Sequence, residues 1–151
     1  MRIIRHISSI SKDLQGGAVA VGNFDGIHRG HQALISHCRA LADNVRGPTL
    51  VLTFEPHPRR VFQPDAPPFR LTPFRSKARL LAGLGVDCLV SLRFDLNTSR
   101  QSAEDFISQV LIGGLGARHV VVGYDFVFGH RRTGNVAMLQ ERGNNHDFEV
   151  S

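Results

Sequence analysis

Cysteine is scarce in this sequence. The two present, Cys38 and Cys88, fall inside apolar stretches rather than in a spaced framework. That excludes a disulfide scaffold or thiolate metal site and fits buried thiols in a reducing cytoplasm. No apolar run approaches the roughly 20 residues of a membrane-spanning helix. The opening Met1-Arg-Ile-Ile-Arg-His-Ile-Ser8 has neither the continuous apolar core nor the small-residue cleavage site of a secretory signal. Lysine is also rare, two against sixteen arginines at a net charge of +5, and no run of five basic residues occurs. Pairs such as Arg59-Arg60 and Arg131-Arg132 are scattered, which argues against a nucleic-acid surface and suits phosphorylated small molecules. Repeats, linkers and low-complexity tracts are absent. With 151 residues, 42% hydrophobic and 21% charged, the chain suits one globular domain with a sizeable core.

What is present is an alternation of strand and helix patterns. The run Ala18-Val-Ala-Val21 predicts a first strand, and apolar spacing at Leu34, Ile35, Cys38, Leu41 and Ala42 predicts a helix over 32–42. Gly47-Pro48 ends it. Thr49-Leu-Val-Leu-Thr-Phe54 reads as a strand buried on both faces. After a proline-rich loop over 55–71, Thr72-Pro73 gives an N-cap and a proline at the first helical position of a helix to about residue 84. A third strand is expected over 86–94, a helix from Ser102 to about 112 and a fourth strand over 118–122. An aromatic and basic loop over 126–133, a helix over 135–142 and a fifth strand over 146–151 complete the reading. This is the pattern of an α/β fold, a Rossmann-like doubly wound parallel sheet of about five strands. Strands one and four should be neighbours, their carboxyl ends bordering the switch-point crevice. The loops over 22–31, 55–58 and 123–134 then converge at one edge of the sheet.

The first of these loops, Gly22-Asn-Phe-Asp-Gly-Ile-His-Arg-Gly-His31, links a strand to a helix start. Backbone N–H groups and the positive helix end meet there, a ready site for phosphate. Imidazolium groups at His28 and His31 can meet negative charge growing on a polyphosphate under attack. Gly26 and Gly30 would let the nucleotide approach the backbone with no Cβ in the way. The residues alone point to a nucleotide-handling enzyme.

Three motifs carry a resemblance. Gly22-x-Phe-Asp-Gly-x-His-x-Gly-His31 is similar to the signature of the FAD synthetase module of bacterial riboflavin kinase/FMN adenylyltransferases, a nucleotidylyltransferase-type fold. Thr53-Phe-Glu-Pro-His-Pro58 resembles that family's second motif. Gly123-Tyr-Asp-Phe-Val-Phe-Gly129, followed by Gly134, resembles its third, and the segment Leu71-Thr72 to Lys77 also fits. The resemblance implies transfer of AMP from ATP to FMN, with FAD and pyrophosphate as products and Mg²⁺ accompanying ATP. It implies His28 and His31 as catalytic residues. Gly22, Asn23, Phe24, Asp25, Gly26 and Gly30 would bind ATP, and His57, Pro58, Phe62, Asp125 and Phe128 would line the flavin side. It assigns no protein ligand to the metal and no oligomeric state. The family's Ser-Ser-Thr-x-x-Arg-type motif is missing before Ser151, as is a riboflavin kinase domain. The expectation is therefore an adenylyltransferase domain over 1–151, truncated at its C-terminal end.

Bland readings stand beside these. Gly-Asn-Phe-Asp-Gly is ordinary turn chemistry, and Asp25 can simply bond the turn's backbone. His28 and His31 could share a metal, yet no cysteine or acidic partner lies at suitable spacing. Pro56-His57-Pro58 can be a stiff loop, Phe62, Phe126 and Phe128 core residues, and Arg131 and Arg132 solvated charges. Two other functions fit the pattern: a nucleotidylyltransferase for another phosphorylated acceptor, and a non-catalytic nucleotide-binding module.

Overall fold

Residues 1–25, 27, 29–55 and 74–151 are described by a computed structural model. Among these residues, short, mostly apolar runs form six parallel strands in one sheet: β1 (Arg2–Ile4), β2 (Ala18–Val21), β3 (Thr49–Glu55), β4 (Cys88–Arg93), β5 (His119–Val121) and β8 (Glu149–Val150). Their order is β1-β4-β3-β2-β5-β8, with Ala18 of β2 level with Thr49 of β3 on one side and His119 of β5 on the other. The expected neighbours, β2 and β5, do pair, and the order reverses at that point. The sequence expectation of about five strands omits β1, which pairs with β4 from Arg2 against Cys88 to Ile4 against Val90. Two isoleucines between Arg2 and Arg5, one exposed and one half-buried, carry too little apolar signal to read as a strand.

Alternation along each strand divides the core into two layers. Val19, Val21, Leu50, Leu52, Val90 and Val120 join one cluster, with Phe106, Ile107, Leu111 and Leu139 from helices. Ala18, Ala20, Val51, Leu89 and Val121 join the other, with Ile35, Cys38 and Ala42 of α1 (Arg29–Asn44) and Ala78 and Leu81 of α2 (Phe74–Gly83). The central strands β2, β3 and β4 are buried on both faces over their first four residues, as the unbroken apolar run of β3 foretold.

Helix α1 begins at Arg29, three residues before the predicted start, so Gly30 and His31 lie in its first turn. Apolar periodicity marks only the packed part of a helix; this first turn is polar and exposed. Helix α3 opens with one α-turn, Ala103–Asp105, capped by Ser102 Oγ accepting from the Asp105 N–H at 3.0 Å. It continues over Phe106–Gly114 in the wider π winding, the Leu115 N–H reaching Val110 O at 2.9 Å. The predicted loop over 126–133 is instead an antiparallel ribbon. Strands β6 (Val127–Phe128) and β7 (Gly134–Asn135) flank a 3₁₀ turn at His130–Arg132. Helix α4 (Val136–His146) runs four residues past its predicted end and stops at Asp147, which adopts the left-handed conformation.

Candidate active site

The C-terminal ends of β3, β2 and β5 share one edge of the sheet, and the turn after β2 occupies its centre. The sheet continues one residue into that turn, the Gly22 N–H donating to Leu52 O at 3.1 Å. Beyond it the backbone is held from below. The Asn23 carbonyl accepts from Thr53 Oγ1 at 3.2 Å and from Lys77 Nζ at 2.8 Å. Lys77 is only 2% exposed and also pairs with Glu55 Oε1 at 3.2 Å.

Phe24 and Ile27 both adopt positive φ, +52° and +36°, sparsely populated for residues other than glycine. Their buried side chains anchor the turn in the α1 layer of the core. Gln32 Nε2 donates to Ile27 O at 3.3 Å, and the Phe24 ring meets His31 edge-on at 5.3 Å. Phe24 therefore acts on the site through its backbone and through His31. Asn23 Oδ1 and Asp25 Oδ1 are buried without a hydrogen-bond partner among the described residues. Such acceptor oxygens suit a donor or a cation, and repel a phosphate oxygen.

Aromatic side chains line the neighbouring stretch of the edge. Phe126 and Phe128 stack at 5.4 Å, Phe128 meets Phe106 at 5.4 Å, Phe106 meets Phe54 at 6.0 Å, and Phe54 meets Phe94 at 6.0 Å. Phe128 is buried in this row and Phe126 is half-buried, while Tyr124 and Asp125 are exposed in the loop after β5. Two glycines seat the ribbon. Gly129 has φ +78° and lies where a Cβ would meet the Ala103 backbone at 2.7 Å. A Cβ on Gly134 would meet the Phe128 ring at 2.6 Å.

Of the residues singled out in the sequence, Gly22, Asn23, Phe24, Asp25, Gly30 and His31 come together at the end of β2, with Asp125 and Phe128 on the adjoining loop after β5. Gly26, His28, His57, Pro58 and Phe62 lie outside the described residues. Lys77, Phe54 and Phe106 carry no role in the sequence reading. Lys77 had two signals: it closes the segment from Leu71-Thr72 that fits the family pattern, and it is a lone lysine on an apolar helix face in an arginine-rich chain. A cavity of about 410 Å³, lined by Arg5, His6, Glu55, Ser91 and Arg93, opens beyond β3. No cluster of three potential metal ligands occurs among the described residues. Cys38 and Cys88 are free and buried, and burial pushes their thiols up to about 12 and about 11. Among the described residues, no helix is long and apolar enough to cross a membrane.

A family model described as FAD synthetase matches residues 10–151. A bifunctional riboflavin kinase/FMN adenylyltransferase of Escherichia coli K12 is 40% identical over 152 residues, covering 100% of this chain and 49% of the relative. The protein of the same description from Buchnera aphidicola is 37% identical over 150 residues, covering 99% of this chain and 48% of its own length. The chain thus spans about half the length of the curated relatives it matches. A crystal structure titled as a macrolide-efflux protein from Streptococcus pneumoniae superposes with a TM-score of 0.83 at 27% identity, covering 99% of this chain and 49% of that one.

Proposed function

Because the chain belongs to the FAD synthetase family, we propose that it transfers the AMP moiety of ATP to FMN. A phosphate oxygen of FMN attacks the α-phosphorus of ATP in line. A new P–O bond forms, the bond from the α-phosphorus to the α–β bridging oxygen breaks, and pyrophosphate leaves as FAD is released. Such a transfer asks the protein chiefly to position two anions and to neutralise charge. The turn after β2 and the positive end of α1 suit the triphosphate. From the sequence, Gly26 and Gly30 would let the nucleotide approach the backbone; Gly22 makes room for the Phe24 ring, and Asn23, Phe24 and Asp25 shape the turn. His28 and His31 act as cations toward the phosphates in the transition state.

Mg²⁺ accompanying ATP keeps most of its ligands as water and phosphate oxygens and needs only one or two carboxylates. Asp25, with a buried oxygen lacking a protein partner, fits that role. When bound, the ion supplies charge neutralisation across the phosphates. The aromatic row through Phe128 and Phe106 supports a flavin site on the same edge, with Asp125 and, from the sequence, His57, Pro58 and Phe62 around it.

The observation that carries this reading is the family match over residues 10–151, supported by the helix-start turn after β2 and by the aromatic row from Phe126 to Phe94. The test is chromatographic detection of FAD from FMN, ATP and Mg²⁺. His28→Ala is expected to lower turnover by about 10²–10³-fold, as loss of one transition-state donor does. Faster turnover with a phosphorylated acceptor other than FMN would overturn the assignment.

A further inference from the structure

We infer that Lys77 is a positioning residue that sets the orientation of the turn after β2, and through it the affinity for a nucleotide triphosphate. An ammonium group is costly to bury unless it is paired and hydrogen-bonded. Lys77 is 2% exposed, and a methionine of similar length would fill the same space with no such cost. The charge is used. Lys77 Nζ binds the Glu55 carboxylate at 3.2 Å and the Asn23 carbonyl at 2.8 Å. The same carbonyl oxygen takes a second donor, Thr53 Oγ1, at 3.2 Å.

Both donors thus converge on one peptide group, and it is the peptide that enters the strained part of the turn. The next residue, Phe24, has φ +52°. In a trans peptide the C=O and N–H point in opposite directions. Fixing the Asn23 oxygen toward β3 and α2 therefore aims the Phe24 N–H away from them. Lys77 belongs to α2 and lies 54 residues from Asn23. The contact consequently ties the turn to an element that belongs to neither of its flanks. Backbone conformations like those of Phe24 and Ile27 persist only where the surroundings over-determine them. Lys77, Thr53 and the buried Phe24 ring are those surroundings. The ligand class follows from the turn, which presents backbone N–H groups at a helix start: a polyphosphate.

The inference rests on the adenylyl-transfer reading only for the identity of that polyphosphate as ATP, and the test keeps the two apart. Lys77→Met combined with Glu55→Gln removes the ammonium together with the carboxylate charge that faces it. Amide hydrogen exchange over residues 22–31 of the ligand-free protein is expected to quicken at least 10-fold in this variant, with exchange in β2 and β5 unchanged. The KM for ATP is expected to rise about 10-fold while the KM for FMN stays within 2-fold. Thr53→Val, which removes the second donor and no charge, should move both readouts the same way by a smaller factor. Wild-type exchange over 22–31, or equal changes in the two KM values, would overturn the role of Lys77. If the unaltered protein forms no FAD, the proposed reaction fails, and the exchange comparison still decides whether Lys77 holds the turn. If the double variant does not fold, Thr53→Val decides: a KM for ATP unchanged from the wild type would overturn the inference.

Discussion

Cys38 and Cys88 illustrate how burial alone sets the chemistry of a residue. Both thiols titrate well above the ordinary value of 9.0 because they are desolvated. Neither should react with iodoacetamide at pH 8 until the protein is unfolded in urea, which mass spectrometry of native and denatured samples would check. The same shift fixes a sign for pH. Above about pH 9 the unfolded chain releases protons that the folded state retains, so stability is unaffected below that value and falls as pH rises toward 11. The slope approaches about 1.4 kcal/mol per pH unit for each thiol, measurable by urea denaturation at pH 8, 9 and 10. Both cysteines were legible in the sequence as core residues because they fall in step with apolar neighbours. Lys77 as a support of the turn was not, since its partners Asn23, Thr53 and Glu55 lie on other elements, and spacing along the chain carries no trace of such a meeting.

The β6–β7 ribbon shows what one missing Cβ contributes to an element. Alanine at Gly134 would place its methyl carbon 2.6 Å from the Phe128 ring, so the ring must leave its packing against Phe106. Overpacking of this kind costs about 1–3 kcal/mol, which denaturant unfolding of Gly134→Ala would register. On the proposed function, the KM for FMN should rise more than that for ATP. Strands β2 and β3 were legible because unbroken apolar runs bounded by glycine and proline leave little choice. The ribbon was not, being two residues per strand. Nor was the π winding of α3, since Phe106, Ile107, Val110 and Leu111 repeat as they would in an α-helix, and it is backbone bonding such as that from Leu115 to Val110 that distinguishes the two.

For the molecule as a whole, alternation of strands and helices was enough to foresee a doubly wound sheet with β2 beside β5. It was not enough to place β1, whose partner β4 is distant in sequence and whose own residues are mostly exposed. Yet β1 covers one side of β4, with the Arg2 N–H bonded to Asp87 O at 3.0 Å. Deleting residues 1–6 should expose that edge of β4 and the apolar core surface that Ile4 covers. The expected outcome is a lower melting temperature and concentration-dependent aggregation, followed by calorimetry and light scattering.

The position of β2 between β3 and β5 also has a consequence in time. One neighbour, β3, follows about thirty residues later, whereas β5 is made roughly a hundred residues after β2. On a ribosome adding about 5–20 residues each second, the central strand therefore waits about 5–20 s with one hydrogen-bonding edge unsatisfied. The nascent β2–β3 pair, with the turn after β2 at its tip, exposes an unpaired strand edge for that interval. Docking of β5 closes that edge and ends the exposure.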